Sequence, residues 1–370
     1  MPKRHYEVDS RVLAVFFLVA VPFLAFGALV VMNLARGHLQ NVTGQNLEQR
    51  ASEARQLVER YVLGQFSHLH LIALDPQVRA AVAAPPRDGG PEDLRRLDQA
   101  WAAGDPALVA SVAGSPLAAR LREVGQTQPA LRLLQAVDAR GRLIATTARG
   151  GRLWNGDTAW FHALTDTDIG GRPYVVDIVS PPGGAGAMFE IDVPIRDVTD
   201  GHPIGALRAL YDASDLYSVL ASVRVGRTGH AVLMRTADGL VLAADESSRV
   251  LKERFPGFEY IAVARRENRG FWTIPAVRSG EVEEPPRIVG FASVEQVPSV
   301  EWTVGVEQDL EEAVSPIKSI GWYLFAHVIG VVLTTVLLAL YFTSQLEAPV
   351  IEEALHLHEE HVPSDYRAAS

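Results

Sequence analysis

Two long runs of apolar residues in the chain are not interrupted by charge. Residues 12–34 and residues 320–343 contain no Asp, Glu, Lys or Arg. A helix needs about 20 mostly apolar residues to cross the hydrocarbon core of a bilayer, and a buried helix is seldom apolar on every face for this length. The second run is also bordered by aromatic residues that favour the membrane interface: Trp322, Tyr323, Tyr341 and Phe342. We therefore predict two transmembrane helices.

The charges before the first run predict the topology. Lys3, Arg4 and Arg11 precede it, and basic residues favour the cytoplasmic side of a membrane. Residues 1–11 are then cytoplasmic, residues 35–319 lie outside, and residues 344–370 form a short acidic cytoplasmic tail. A cleaved signal peptide is the alternative for the first run, but such peptides have an apolar stretch of about 7–15 residues and an Ala-x-Ala-like site.

Apolar positions recur with a helical period between residues 36 and 74. Leu47, Ala54, Val58 and Tyr61 fall on one side, and charged residues fall on the others. The helix should end before Asp75-Pro76, because proline disfavours helix in the residue before it. At 1.5 Å per residue it is roughly 58 Å long. This length predicts a stalk helix that continues from the first transmembrane helix, and it also fits a helix that packs along the outer domain.

The rest of the outer segment changes twice from helical to strand patterns. Residues 77–125 predict short helices. Strand composition follows in two groups, each opening with a strand–turn–strand pattern: residues 131–137, 142–147, 174–179, 187–194 and 205–212, and then 229–236, 240–243, 270–274, 287–293 and 302–307. We predict an α+β fold with two similar subdomains built on antiparallel sheets, a distal one at about 77–222 and a proximal one at about 223–312.

Composition and motifs narrow the class of protein. The net charge of −10 argues against a nucleic-acid binder, which needs a basic face. The absence of cysteine excludes disulfides, thiolate metal sites and a cysteine nucleophile. We find no phosphate-binding loop, nucleophile elbow or spaced carboxylate pair that demands catalysis. The sequence therefore predicts neither an enzyme nor a cofactor.

The order of these elements resembles the double Cache family of bacterial extracytoplasmic sensor domains. Four phrases carry the resemblance over roughly residues 30–345: Gly226 to Gly239 (GRTGHAVLMRTADG), Val289 to Ser293 with Glu301 to Glu307, Thr158 to Phe161, and Gly205 to Asp212. The resemblance implies two PAS-like subdomains between two spans in a bacterial inner membrane. It also implies that a small molecule binds outside, usually in the distal subdomain, and that the signal passes along the stalk and the second span.

The resemblance also implies candidate site residues. In the amino-acid-binding branch an arginine lies two residues before a Trp-Tyr pair, and a later aspartate holds the ligand ammonium. Trp160-Phe161 matches the aromatic pair and Asp212 matches the aspartate, but Thr158 stands at the arginine position. The ligand carboxylate would then lack its bidentate partner. An amine or another small polar molecule therefore fits better than an α-amino acid, because aromatic faces and carboxylates attract cations.

Each candidate residue also has a structural interpretation. If Trp160 and Phe161 lie on a strand they face opposite ways, so one of them is a core residue. Asp212 could instead cap a helix that starts near Ser214. Asp192 lies on the strand face away from Ile191 and Val193, towards either the pocket or solvent. Two weaker candidates for the pocket, more often packing residues than ligand contacts, are Tyr174 and Met188.

Histidines in the second apolar run and the tail leave two questions open. His327 is either functional or a neutral packed side chain. The tail histidines His356, His358 and His361 could bind a divalent metal, although a solvated acidic helix is the alternative and the spacing is not that of a metalloprotease. After Thr343 only the tail follows, which leaves no room for an output domain and predicts a separate signalling partner.

Three hypotheses follow from the sequence. The first is a membrane-anchored sensor that works as a homodimer in contact with lipid, with ligand binding biasing two arrangements of its helices. The second is a ligand-binding accessory of a transporter or envelope complex. The third is a protein-interaction platform, which a filled, apolar distal pocket would favour.

Overall fold

The computed structural model describes residues 10–84, 90–165, 174–180, 186–245, 249–264, 269–279, 282–297, 299–317, 321–338 and 341. The chain divides into two compact units, residues 1–41 with 313–370, and residues 42–312. The predicted tail and its histidines His356, His358 and His361 lie outside the described residues, as does most of residues 1–11.

Two helices are long and apolar enough to cross a membrane. One lies within α1, a continuous helix over Ser10–Ala73. Its range Val21–Ala73 has the length and the apolar composition of a membrane-spanning helix. The other is α10 (Gly321–Leu338), and the most apolar window of each is entirely unburied. In α10, His327 Nδ1 lies 3.0 Å from the carbonyl oxygen of Tyr323, one helical turn earlier. Helix α1 ends just before Asp75-Pro76, as the proline predicts.

Four short helices follow α1, each with proline in its first turn. The residue before the proline caps three of them with its side chain: Asp75 accepts from Gln77 N, Asp105 from Leu108 N, and Ser115 from Ala118 N. Proline needs no hydrogen bond at this position, and the cap satisfies one of the free N–H groups. The helices are α2 (Pro76–Val82), α3 (Pro91–Ala103), α4 (Pro106–Ala113) and α5 (Pro116–Gly125).

Residues 131–212 form a five-stranded antiparallel sheet, which we call the first sheet, with strand order β2-β1-β5-β4-β3. Strands β1 and β2 form one antiparallel pair and the long strands β4 and β5 form another, and β1, β5 and β4 are the inner strands of the sheet. Helix α6 (Ala159–Thr165) lies between β2 and β3 along the chain. The strands are β1 (Leu131–Asp138), β2 (Leu143–Thr146), β3 (Tyr174–Val179), β4 (Met188–Arg196) and β5 (Pro203–Asp212).

Residues 224–309 form a six-stranded antiparallel sheet, the second sheet, in which β6-β7-β13-β12-β9 are consecutive and β8 pairs with β7. A separate hairpin joins β10 to β11. The elements are α7 (Ser214–Ala221), β6 (Arg224–Val225), β7 (Gly229–Arg235), β8 (Val241–Ala244), α8 (Phe258–Ala264), β9 (Arg269–Ile274), β10 (Val277–Ser279), β11 (Val282–Glu284), β12 (Arg287–Ser293), β13 (Trp302–Asp309) and α9 (Leu310–Ala313). The predicted α+β fold with two antiparallel sheets is confirmed.

Both sheets pack against α1 through one face. On the first sheet, Tyr61 of α1 contacts Phe189, with ring centroids 6.2 Å apart. On the second sheet, β12 comes so close to α1 that a Cβ added at Gly290 would lie 2.1 Å from the carbonyl carbon of Leu47. The opposite face of each sheet is therefore the one available for other contacts, because successive residues of a strand point to opposite faces.

The buried carboxylate of Glu59 also fixes α1 to the second sheet. Its Oε1 accepts hydrogen bonds from the backbone N–H groups of Glu295 and Gln296, at 2.8 and 3.1 Å, in the loop between β12 and β13. Arg55, one turn earlier on α1, donates to the same carboxylate at 3.1 Å. The Glu59 carboxylate thus holds the backbone of this loop against α1.

Strand β3 joins the first sheet to the second. A bulge between Val176 and Val179 interrupts its pairing with β4, and bulges commonly redirect a side chain. Asp177, inside the bulge, accepts a hydrogen bond from Trp302 Nε1 at 2.8 Å and pairs with Arg235 Nη1 at 3.2 Å. The backbone N–H of Val175 donates to Ser299 Oγ at 2.7 Å. The edge strand of one sheet is thus held by side chains of the other.

Candidate ligand-binding site

A row of polar side chains crosses four neighbouring strands of the first sheet. Tyr174 on β3 lies opposite Asp192 on β4, which lies opposite Arg208 on β5, which lies opposite Gln135 on β1. Residues directly opposite each other in antiparallel strands share a face. This polar row therefore lies on one face, and that face is the one away from α1.

Helix α6 and the loop after β2 cover the polar row. The guanidinium carbon of Arg208 lies 5.5 Å from the centroid of the Trp160 ring, a cation–π distance. Gln135 Nε2 donates to the carbonyl oxygen of Gly150 at 2.8 Å. Gly151 has a φ of +67°, and a Cβ there would lie 3.4 Å from Arg208 Nη1. The cover is close, and it places an aromatic ring and backbone over the only guanidinium of the row.

The charges in the row are not balanced. Arg208 Nη2 donates to Glu190 Oε2 at 2.6 Å, and both side chains are largely buried. Asp192, two residues after Glu190 on the same strand face, is 0% exposed. Within the described part of the chain no N–H or O–H group donates to either of its carboxylate oxygens, although the Glu190 carboxyl group is close enough to form a hydrogen bond with Asp192 when one of the two is protonated. One carboxylate therefore remains after the arginine has been paired.

The environment of Asp192 disfavours a free negative charge. Burial raises the pKa of Asp192 well above its usual value, the neighbouring Glu190 carboxylate raises it further, and Arg208 acts in the opposite direction. A buried carboxylate needs a partner, or else it takes up a proton. The row can therefore bind a cation at Asp192, whereas its guanidinium already carries an ion pair and is less suited to a ligand carboxylate.

The structure brings three of the six predicted residues together. Trp160, Tyr174 and Asp192 lie in or against the polar row. Trp160 and Phe161 both belong to the apolar cluster beside the row, which includes Leu153 and Ala206, and Tyr174 packs against that cluster. The premise that Trp160 and Phe161 lie on a strand is wrong, since both belong to α6 and both are buried, with their rings 5.7 Å apart in an edge-to-face arrangement. Asp192 is turned away from solvent.

Met188 and Asp212 lie at the other end of the same face. They are opposite each other in the β4–β5 pairing, and four residues of β5 separate Asp212 from Arg208, which is about 13 Å along a strand. Asp212 pairs with Arg132 at 2.7 Å and accepts from Ser214 N at 2.8 Å, at the start of α7. Burial would raise the pKa of Asp212, but these partners lower it. The Asp212 carboxylate therefore already has partners within the protein, as the alternative of a structural role at the start of α7 predicts.

Sequence reasoning missed Glu190, Arg208 and Gln135. Arg208 is the one charged residue in the interior of a strand whose other residues are apolar, and Glu190 is two positions from Asp192. A charged residue in the middle of an apolar strand is costly unless it is paired. That signal indicates that Arg208 has a buried acidic partner. The partner can be identified as Glu190 only once the register of β4 and β5 is known.

The equivalent face of the second sheet is filled differently. An apolar cluster that includes Val232, Phe255, Val289 and Phe291 occupies it. A charged cluster lies at one end, where Glu307 is opposite His230 on β7 and Val289 on β12. Among the described residues no group of three or more His, Cys, Asp or Glu side chains is arranged to hold a metal ion.

Comparisons with known proteins found a curated relative of part of this chain and solved structures that are similar to it. No protein-family model matches the chain. The methyl-accepting chemotaxis protein McpA of Pseudomonas putida is 27% identical over 141 residues, which are 37% of this chain. The chain spans 20% of the length of that relative.

Solved structures with a similar fold are ligand-binding domains of chemoreceptors. The domain of PctC from Pseudomonas aeruginosa, in complex with GABA, is 16% identical, with a TM-score of 0.46 over 72% of this chain and 100% of that one. The domain of CtaA from Pseudomonas fluorescens, with L-leucine, is 15% identical, with a TM-score of 0.46 over 76% and 99%. The domain of Tlp3 from Campylobacter jejuni, with 4-methylisoleucine, is 12% identical, with a TM-score of 0.48 over 74% and 94%. At these identities the likeness concerns the fold.

The element order agrees with the resemblance seen in the sequence. A long helix is followed by a five-stranded antiparallel sheet, a second antiparallel sheet and an apolar helix. The predicted resemblance to double Cache sensor domains is therefore confirmed.

Proposed function

We propose that this chain is a two-pass membrane protein whose residues 42–312 bind a small amine-bearing molecule outside the cytoplasm and signal its presence. The observation that carries the proposal is the Asp192 carboxyl group, which is fully buried and, among the described residues, accepts no hydrogen bond from an N–H donor. An ammonium group would supply both the charge and the donors that this carboxylate lacks. Trp160 and Tyr174 supply apolar and aromatic surface for the rest of the ligand.

The charge pattern favours an amine over an α-amino acid. The Arg208 guanidinium is neutralised by Glu190 at 2.6 Å, so a ligand carboxylate would have to compete with an existing ion pair. Thr158, at the position where the resembled branch has an arginine, donates its hydroxyl to the carbonyl oxygen of Asn155 at 2.6 Å. An amine without a carboxylate meets neither obstacle.

The remaining parts of the proposal concern the whole protein. Two apolar helices support a two-pass protein, and the basic residues before the first one support cytoplasmic N- and C-termini in a bacterial inner membrane. We propose a homodimer that contacts lipid and passes its signal to a separate partner, and no catalysis, cofactor or nucleic acid is part of this function.

A thermal-shift screen of the full chain in detergent micelles or nanodiscs tests the ligand site. The panel contains primary amines, diamines, α-amino acids, organic acids and purines. A ligand at about 100 times its dissociation constant adds roughly 2.7 kcal/mol to the free energy of unfolding. We expect hits among the amines that disappear in Asp192→Asn and persist in the matched variant Asp212→Asn.

Each other outcome has a defined meaning. A hit lost in Asp212→Asn and kept in Asp192→Asn would move the site to the end of β5. A hit that survives both substitutions would retain the sensor and overturn the polar row as its site. An amino-acid hit without an amine hit would overturn the ligand class. No hit across the panel would favour a protein-interaction platform.

A further inference from the structure

His230 on β7 has a hydrogen-bond acceptor at each ring nitrogen. Its Nδ1 lies 3.0 Å from the carbonyl oxygen of Thr228, and its Nε2 lies 2.9 Å from Glu307 Oε1. A neutral imidazole carries one N–H and one lone pair, so it can donate to only one of these oxygens. An imidazolium donates from both nitrogens. The Nε2–Oε1 contact has the distance of an ion pair without the angles of a hydrogen bond, and so close an approach to a carboxylate favours the protonated ring through its charge.

The charges around His230 balance only when the ring is protonated. Glu307 is almost fully buried, and Arg287 Nη1 donates to its other oxygen at 2.6 Å. Arg287 also pairs with Glu284. Two carboxylates thus face one guanidinium and one imidazole, and the imidazolium makes the cluster neutral. A neutral ring would leave a net charge of −1 on these four side chains, of which Glu307 and Arg287 are buried and His230 and Glu284 are partly exposed, and this is unfavourable at the buried Glu307 carboxylate.

Other charged groups near His230 are engaged elsewhere. Arg224, opposite His230 on β6, pairs with Asp245. Arg249 pairs with Glu253 at 3.3 Å and slightly opposes protonation of His230. Glu312 on α9 binds the N–H groups of Arg227 and Thr228. The Glu307 carboxylate raises the pKa of His230, and this outweighs the lowering due to burial. Burial would raise the pKa of Glu307, but His230 and Arg287 together lower it.

We propose that His230 and Glu307 form a proton-binding site, so that the second sheet responds to the pH of the compartment that holds it. Loss of the proton removes the ion pair between His230 and Glu307 of strand β13, while the backbone pairing of β7 with β13 remains. That strand ends at Asp309, whose N–H bonds Thr228 Oγ1 at 3.2 Å, and the chain continues through α9 towards α10. This response to pH is additional to the proposed amine site and needs no small molecule.

Exchange of the imidazole C2 hydrogen, followed by mass spectrometry between pH 5 and 9, measures the pKa of each histidine in the full chain in detergent. We expect the pKa of His230 to lie above the ordinary value of about 6.5 and to fall in Glu307→Gln. His202, whose ring pairs with Asp200 in an exposed turn, serves as the reference histidine in the same spectra. An ordinary pKa at His230 that Glu307→Gln leaves unchanged would overturn the proposal.

A second measurement keeps the test decisive if Glu307→Gln does not fold. The melting temperature of the wild type is compared with that of His230→Gln across the same pH range, with His202→Gln as the matched control. Because the folded-state pKa is raised, the stabilisation is fully present below about pH 6.5 and is lost as the pH rises through the folded-state pKa. A wild-type advantage that does not change with pH would refute the site.

Backbone hydrogen exchange tests whether the proton changes β13. After correction for the chemical exchange rate, peptides covering residues 302–313 should be more protected in the wild type than in His230→Gln at pH 6, and equally protected at pH 9. Equal protection at both pH values would show that the proton does not reach this strand and would overturn the response.

Discussion

Replacing Asp177 tests the connection between the two sheets. Asp177→Ala removes the acceptor for the indole N–H of Trp302, a side chain that is 1% exposed. A buried donor left without a partner costs about 1–3 kcal/mol. The ion pair of Asp177 with Arg235 is part-exposed, and such pairs contribute about 0–1 kcal/mol. We therefore expect Asp177→Ala to lower the free energy of unfolding by about 1–4 kcal/mol, most of it from the indole.

Two further variants separate the hydrogen bond from the ion pair. Asp177→Asn keeps an oxygen for the indole and loses only the charge, so it should cost about 0–1 kcal/mol. Asp238→Ala breaks the other ion pair of the same arginine, at 2.7 Å, and a part-buried hydrogen bond from Leu240 N–H, so it should cost about 1 kcal/mol.

Thermal unfolding of the full chain in detergent, followed by near-ultraviolet circular dichroism, measures these differences. A change of 1 kcal/mol shifts the midpoint by roughly 2–4 °C for a folded unit of this size. If Asp177→Ala is no less stable than Asp238→Ala, or if Asp177→Asn is as unstable as Asp177→Ala, the indole hydrogen bond does not hold the sheets together and the reasoning is refuted.

Three more predictions concern α1 and the polar row. Glu59→Ala removes two charge-assisted hydrogen bonds from the β12–β13 loop and should cost about 2–5 kcal/mol in urea unfolding. Glu53→Ala breaks an exposed ion pair on the same helix and should cost under about 1 kcal/mol; equal costs would contradict the role of Glu59. Gly290→Ala should lower the stability of the protein by about 1–3 kcal/mol, because the new Cβ clashes with α1. Gly64 has open space around it, so Gly64→Ala should raise the stability by about 0.5–1 kcal/mol. Thermal melts with the opposite signs would be inconsistent with this packing. Amine binding to Asp192 should weaken about tenfold per pH unit as the pH falls below the raised pKa of this group, because the amine needs the ionised carboxylate; calorimetric titrations with pH-independent affinity would exclude that contact.

The sequence predicted most of the longer elements and their order, but not the short elements α6, α8, β6, β10 and β11. The uncharged runs predicted both apolar helices, Asp75-Pro76 predicted the end of α1, and the alternation around each turn predicted the strands of both sheets. These signals are local, since they depend on the period of apolar positions and on the backbone limits of proline.

The site was predictable only in part, because it depends on register. Asp192 was a candidate from its position on a strand face, yet its meeting with Arg208 required the pairing of β4 with β5. Trp160 and Phe161 were recognised by resemblance, while the helix that carries them was missed because a seven-residue helix shows too little periodicity. Asp212 matched a family position, but Arg132, which engages it, comes from 80 residues away.

The two faces of the first sheet have consequences for how such a protein can evolve. Odd-numbered residues of β4 and β5, such as Phe189 and Tyr211, lie on the side of α1, and even-numbered ones, such as Asp192 and Arg208, lie on the other side. A single substitution at Asp192 or Arg208 therefore alters the proposed ligand site without changing a residue that packs against α1. Descendants of one ancestral gene can acquire new chemical preferences in this way while they inherit the same mechanical connection to the membrane.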